Sequence, residues 1–213
     1  MRIRLCLAAL SLAGGASLAT LSAPAASAAS CSDLDVVAAR GTFEPGTLGA
    51  IVGDPVYSAL QQKITGKTLS SYKVNYPADL SLTSAEQGNA DVVNHVNSQA
   101  AACPNQRFIL VGYSQGANVV DNSIGISSDG AVVGSPIVAT IPAALAPRVA
   151  AVLLFGNPIR AIGRSVTGTY QSRTIDFCAK GDPVCESGGG DVLAHLSYGS
   201  DADAAAAFAA SKV

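Results

Sequence analysis

The strongest constraint on the fold is a short stretch in mid-chain, Arg107-Phe-Ile-Leu-Val111, followed at once by Gly112-Tyr113-Ser114-Gln115-Gly116. A dense apolar, β-branched run that stops at glycine reads as a buried strand, and residues 115–124 read as a helix. A strand that turns into a helix within so few residues needs small residues on both sides of the turn, and Gly112 and Gly116 supply them. The segment therefore predicts a central strand of an α/β sheet with a serine at its tip.

The rest of the chain fits this pattern. Residues 34–39, 72–76, 149–155 (VAAVLLF) and 173–177 (RTIDF) are strand-like and end at turn residues or cysteine. Helical patterns fall at 49–64, at 84–101 with Val92, Val93 and Val96 on one face, and in an Ala-rich stretch at 201–212. Strands alternating with helices predict a parallel sheet covered on both faces, an α/β/α sandwich. Composition agrees: 49% of residues are apolar and 13% charged, which excludes disorder. Aromatics make up only 5% and Trp is absent, so the apolar content is small residues suited to close helix-on-sheet packing. The length suits one domain. A net charge of −2 gives no footprint for nucleic acid or anionic lipid.

The N-terminus reads as a targeting segment. Arg2 and Arg4 precede an apolar run at 5–21 broken by Gly14 and Gly15, and Ala26-Ser27-Ala28 has the small-x-small pattern of a cleavage site. Residues 1–28 are expected to be a secretory signal peptide and 29–213 the mature domain, which has no further stretch apolar enough to insert in a membrane. Cys6 leaves with the signal; Cys31, Cys103, Cys178 and Cys185 remain and allow three pairings. Their spacing lacks the tight ligand pairs of a zinc site, so no metal is expected.

Serine needs a base to become a nucleophile, and the base needs an acid to orient it. His95 precedes the serine on helix 84–101, beside Val92 and Val96 and four residues after Asp91, and reads as structural. His195 follows the last predicted strand by a loop, in the order Ser, acid, His of α/β hydrolases. Between them stand Asp121, Asp129, Asp176, Asp182, Glu186 and Asp191. Asp121 lies on the helix after the serine and Asp176 inside the last strand. Asp182 lies in a Gly-Asp-Pro turn just past that strand, where catalytic groups of open α/β sheets gather. A Cys178–Cys185 disulfide would lock this turn. Asp182 is the expected acid, with Asp176 second.

Taken together, Ala39-Arg40-Gly41-Thr42, Gly112-Tyr113-Ser114-Gln115-Gly116, Gly181-Asp182-Pro183-Val184-Cys185 and His195-Leu-Ser-Tyr198-Gly199 resemble the cutinase family, which includes acetylxylan esterases. The resemblance runs in order from about Cys31 to the C-terminus. It implies a lidless α/β hydrolase with five central parallel strands, acting on esters without a cofactor. Ser114 would be nucleophile, His195 base and Asp182 acid, with Thr42 and the Gln115 N–H forming the oxyanion hole. Threonine stands where serine is frequent, and Phe43 follows it where fungal members carry a small polar side chain. In the same fold strands 34–39 and 107–111 are neighbours, which brings Cys31 and Cys103 to one end of the sheet and implies a Cys31–Cys103 bond beside Cys178–Cys185.

Leu80 and Leu82 in one loop and Val192 and Leu193 in another should flank the serine. Four aliphatic side chains suit an acyl chain better than a sugar. The expected function is a secreted, monomeric carboxylesterase of cutinase type acting on a polyester, lipid or small ester. Acetylxylan esterase and envelope-lipid lipase or phospholipase are the alternatives. An inactive secreted binding module that keeps the fold is the non-enzymatic one.

Overall fold

The computed structural model describes residues 31–213, so the expected signal peptide at 1–28 lies outside the described residues. Five parallel strands form the sheet: β1 (Leu34–Ala39), β2 (Leu69–Lys73), β3 (Arg107–Tyr113), β4 (Val149–Phe155) and β5 (Thr174–Phe177), in the order β2-β1-β3-β4-β5. Helices α1 (Gly53–Lys63), α2 (Ser84–Ala102), α3 (Gln115–Ser123), α4 (Val192–His195) and α5 (Ala202–Ala210) connect or follow them.

Burial explains the layers. β1, β4 and all but the first residue of β3 are buried, so both faces of the central strands must be covered. Side chains alternate between faces. Val37, Leu110, Val152 and Leu154 pack with Val92 and Val96 of α2 and Val119 and Val120 of α3. Val36, Ile109, Val111 and Leu153 pack with Val56 and Leu60 of α1 and Ala205, Ala206 and Ala209 of α5. The alanine face of α5 lets that helix lie close, which is how a core so poor in aromatics fills its space.

Two expected boundaries move. The strand anticipated at 72–76 is β2 at Leu69–Lys73, in register with β1 from Leu34↔Leu69 to Ala38↔Lys73. It is an edge strand with no fully buried residue, so its sequence lacks the apolar signature, and the buried Val74 and Tyr76 beyond it mimic one. The helix anticipated from residue 49 starts at Gly53, because residues 44–52 fold into turns held by two carboxylates. Asp54 accepts the N–H groups of Thr47 and Leu48, and Glu44 those of Gly41, Ile51 and Val52.

Both disulfides are formed. Cys31–Cys103 joins the segments that enter β1 and β3, and Cys178–Cys185 closes the turn after β5. The strand order reverses at β1, which sits between β2 and β3. The crevice outside the C-terminal ends of β1 and β3 is therefore the expected ligand site.

Candidate active site

Ser114 stands between β3 and α3 with φ 54° and ψ −119°. A non-glycine residue in this region is strained and persists only where its surroundings hold it. Here the Ser114 N–H donates to the Phe155 carbonyl at 2.9 Å, and α3 springs from the serine itself. The turn also needs close approach: a Cβ on Gly116 would stand 1.9 Å from the Ala39 carbonyl oxygen. That contact presses the start of α3 onto the end of β1 and brings the Arg40-Gly41-Thr42 segment to the serine.

The ring of His195 bridges serine and acid. Its Nε2 lies 3.0 Å from Ser114 Oγ and its Nδ1 lies 2.8 Å from Asp182 Oδ2. The network assigns the proton to Nδ1, which donates to the carboxylate and leaves Nε2 to accept the serine hydroxyl. His195 is the last residue of α4, whose N-cap Asp191 accepts the N–H groups of Leu193 and Ala194. The Tyr113 hydroxyl donates to the His195 carbonyl at 2.7 Å, tying the end of β3 to the histidine's backbone.

Asp182 is fully buried, and each of its carboxylate oxygens has a donor. Oδ1 accepts the Val184 N–H at 2.7 Å; Oδ2 accepts both His195 and the Tyr198 hydroxyl, the latter at 2.5 Å. Tyr198, itself fully buried, accepts the Ala179 N–H at 2.9 Å. Burial first, and its bond to Asp182 second, push the Tyr198 phenol up, so it stays a donor. The sequence reading missed Tyr198 as part of this site. Its only signal is the His-Leu-Ser-Tyr-Gly stretch.

The other histidine lies elsewhere. His95 Nε2 is 2.6 Å from Asp35 Oδ2, and its ring stacks on Tyr72 with centroids 3.5 Å apart. Asp91, four residues before it, instead accepts from the Tyr72 hydroxyl and the Asn75 N–H. Of the remaining acids, Asp121 is fully buried with no partner for either carboxyl oxygen among the described residues. Burial, aided by the charge of Asp176, raises it well above the carboxylate range. Asp176, which accepts from Asn157 Nδ2 at 3.1 Å, is pushed up to about 6, chiefly by burial. Neither is hydrogen-bonded to a histidine.

Gly41 closes on the serine from the β1 side: a Cβ there would be 3.5 Å from Ser114 Cβ. Thr42, the next residue, is half-buried. Gln115 is the first residue of α3, where backbone N–H groups have no partner inside the helix. Its side chain is buried and works as a tether, with Nε2 donating to the Asp79 carbonyl at 2.7 Å and Oε1 accepting from Ser84 Oγ. The tether anchors the loop carrying Leu80 and Leu82, which are 67% and 91% exposed. Val192 and Leu193, on the helix that carries His195, are 62% and 75% exposed. Phe43 is also exposed. None of these side chains packs in the core. A cavity of about 390 Å³ lined by Ile124, Ile141, Pro147 and Tyr170 lies at the far end of α3 from Ser114.

Residues 30–213 match the family model described as Cutinase. The chain belongs to the cutinase family. A cutinase of Kineococcus radiotolerans is 45% identical over 185 residues, covering 84% of this chain and 61% of that protein. Carboxylesterase Culp1 of Mycobacterium tuberculosis is 40% identical over 195 residues, covering 85% of this chain and 82% of the relative. The structure of a Trichoderma reesei cutinase in complex with a phosphonate inhibitor superposes with a TM-score of 0.67 at 35% identity, covering 84% of this chain and 75% of that one. The fold is thus the small α/β-hydrolase type, and the chain is of the serine-esterase kind.

Proposed function

We propose that this protein is a secreted carboxylesterase of cutinase type that cleaves short- to medium-chain acyl esters through an acyl-enzyme. The observation that carries the reading is the continuous Ser114–His195–Asp182 hydrogen-bond chain at the C-terminal end of the sheet, flanked by exposed aliphatic side chains. His195 Nε2 takes the hydroxyl proton as Ser114 Oγ attacks the ester carbonyl, and Asp182 stabilises the imidazolium that forms. The oxyanion is held by the Thr42 and Gln115 N–H groups at the positive end of α3. His195 then returns the proton to the leaving alcohol. Water, deprotonated by the same nitrogen, releases the acid.

Leu80, Leu82, Val192 and Leu193 present apolar surface on the two sides of this site, which favours an acyl chain over a sugar. Both disulfides favour an oxidising compartment, in agreement with export after loss of residues 1–28. N-terminal sequencing of the protein from culture medium should begin near residue 29.

The test is a rate series on p-nitrophenyl esters from acetate to palmitate, run beside acetylated xylan and a cutin-like polyester, with Ser114→Ala as control. Turnover of short and medium acyl chains that vanishes in Ser114→Ala supports the proposal. Strict preference for acetylated xylan replaces it with the acetylxylan reading. A folded protein that resists fluorophosphonate labelling at Ser114 supports an inactive binding module.

A further inference from the structure

Glu44 is a carboxylate that the proposed chemistry does not use, yet it lies buried beside the oxyanion segment, 6% exposed. Its Oε2 accepts the Gly41 N–H at 2.7 Å; its Oε1 accepts the N–H groups of Ile51 at 2.7 Å and Val52 at 3.3 Å. Its own backbone N–H donates to the Gly41 carbonyl at 3.1 Å. One residue thus holds Gly41 at both of its polar ends.

The consequence reaches Thr42 through the peptide plane. The Gly41 carbonyl and the Thr42 N–H belong to one rigid peptide unit and point in opposite directions. Fixing the carbonyl toward Glu44 fixes where the Thr42 N–H points. The segment needs this restraint, because the next residue, Phe43, has φ 56°, a costly conformation for a bulky side chain. The Phe43 N–H bonds the Ala78 carbonyl at 2.7 Å from the other side. Arg40 Nη2 donates to the Tyr76 and Pro77 carbonyls at 2.9 Å, closing the clamp before Gly41.

The choice of a carboxylate also has a reason. Three N–H donors converge on Glu44, and only an ionised carboxylate offers two oxygens that accept without donating. Burial holds its carboxyl above the usual carboxylate range, and these N–H bonds oppose that shift without outweighing it. A glutamine could keep the Ile51 and Val52 bonds through one oxygen, but would then set its NH₂ against the Gly41 N–H.

We propose that Glu44 is a positioning residue for ester hydrolysis, aiming the Thr42 N–H at the developing oxyanion by clamping Gly41. This rests on the esterase reading and on Thr42 as an oxyanion donor. Losing an oxyanion donor outright lowers kcat about 10²- to 10³-fold, so misaiming one should cost about tenfold or more.

The experiment compares the unaltered protein with Glu44→Gln on p-nitrophenyl butyrate. Active sites are counted by end-point fluorophosphonate labelling, and folding is checked by thermal melting. The expected result is that Glu44→Gln loses about tenfold or more in kcat per labelled site while KM stays within about twofold. A kcat per labelled site equal to that of the unaltered protein, even with a lower melting temperature, makes Glu44 structural only and overturns the proposal. Absence of ester turnover in the unaltered protein would overturn the esterase reading and this inference together.

Discussion

Replacing Asp176 by asparagine should make the protein more stable at neutral pH, although it removes a charged residue from a sheet strand. Asp176 lies on β5 with its side chain 15% exposed, accepts from Asn157 Nδ2, and has Arg160 Nη1 at 3.7 Å. Burial outweighs these partners and raises the carboxyl from 3.8 to about 6. The folded protein thus holds this proton more tightly than the unfolded chain. Below about pH 4 both states are protonated and nothing is lost. Between about pH 4 and 6 the folded state binds more protons, so stability falls as pH rises, by about 1.4 kcal/mol for each pH unit of separation between the two pKa values. Above about pH 6 the full cost remains, about 3 kcal/mol for a shift of this size. The amide oxygen in Asp176→Asn can still accept from Asn157, and the amide carries no charge to desolvate. Urea unfolding at pH 4, 5, 6, 7 and 8 should show the two proteins close at pH 4 and the variant about 2–3 kcal/mol more stable at pH 8, after allowance for the weak Arg160 pair. Parallel stability profiles for the two proteins would refute the reasoning.

Gly156→Ala should abolish most turnover with a smaller loss of stability, because the new Cβ would lie 2.9 Å from His195 Cε1 and 3.0 Å from Nδ1; kcat and a melting curve check it. Tyr198→Phe strips one donor from Asp182 and the acceptor from the Ala179 N–H, so it should destabilise the protein by about 1.5–3 kcal/mol and lower kcat, read by denaturant titration and steady-state kinetics. The two disulfides should separate in effect. Replacing Cys178 and Cys185 by serine removes only about 2 kcal/mol of chain-entropy stabilisation but should reduce kcat per folded molecule, since the Asp182 turn is freed. Replacing Cys31 and Cys103 should cost about 4 kcal/mol and leave kcat per folded molecule unchanged.

Sequence made the sheet and the serine turn legible because each rests on local rules. β3, β4 and β1 are nearly continuous apolar runs, and a strand-to-helix turn around a serine has few solutions. β2 lies off its expected place because an edge strand of Leu-Ser-Ser-Tyr-Lys buries too little to show a pattern. The acid at Asp182 could be ranked by its place after the last strand. Its partner Tyr198 could not, because a phenol that meets a carboxylate sixteen residues away is a tertiary event. The two histidines show the same limit. Asp91, four residues before His95, looks like its helical partner, but Asp35 on β1 takes that place, since α2 crosses β1 and β2 on that face. Asp121 reads as a residue on the helix leading away from the serine. Its full burial depends on α3 being enclosed on every side, which no single-helix pattern reveals.

The three groups of the proposed triad stand at widely separated places in the chain. Ser114 is in place once β1, β3 and β4 have met, but Asp182 and His195 follow β5, and Tyr198, which braces the acid, leads into the final helix. Every partially assembled form that lacks the segment after β5 therefore carries a serine without a base. On the proposed mechanism such a form is strongly impaired toward esters, whatever its secondary structure. In refolding, recovery of ester turnover should accordingly trail the return of helix and sheet signals, and turnover becomes a clock for the closing step of assembly.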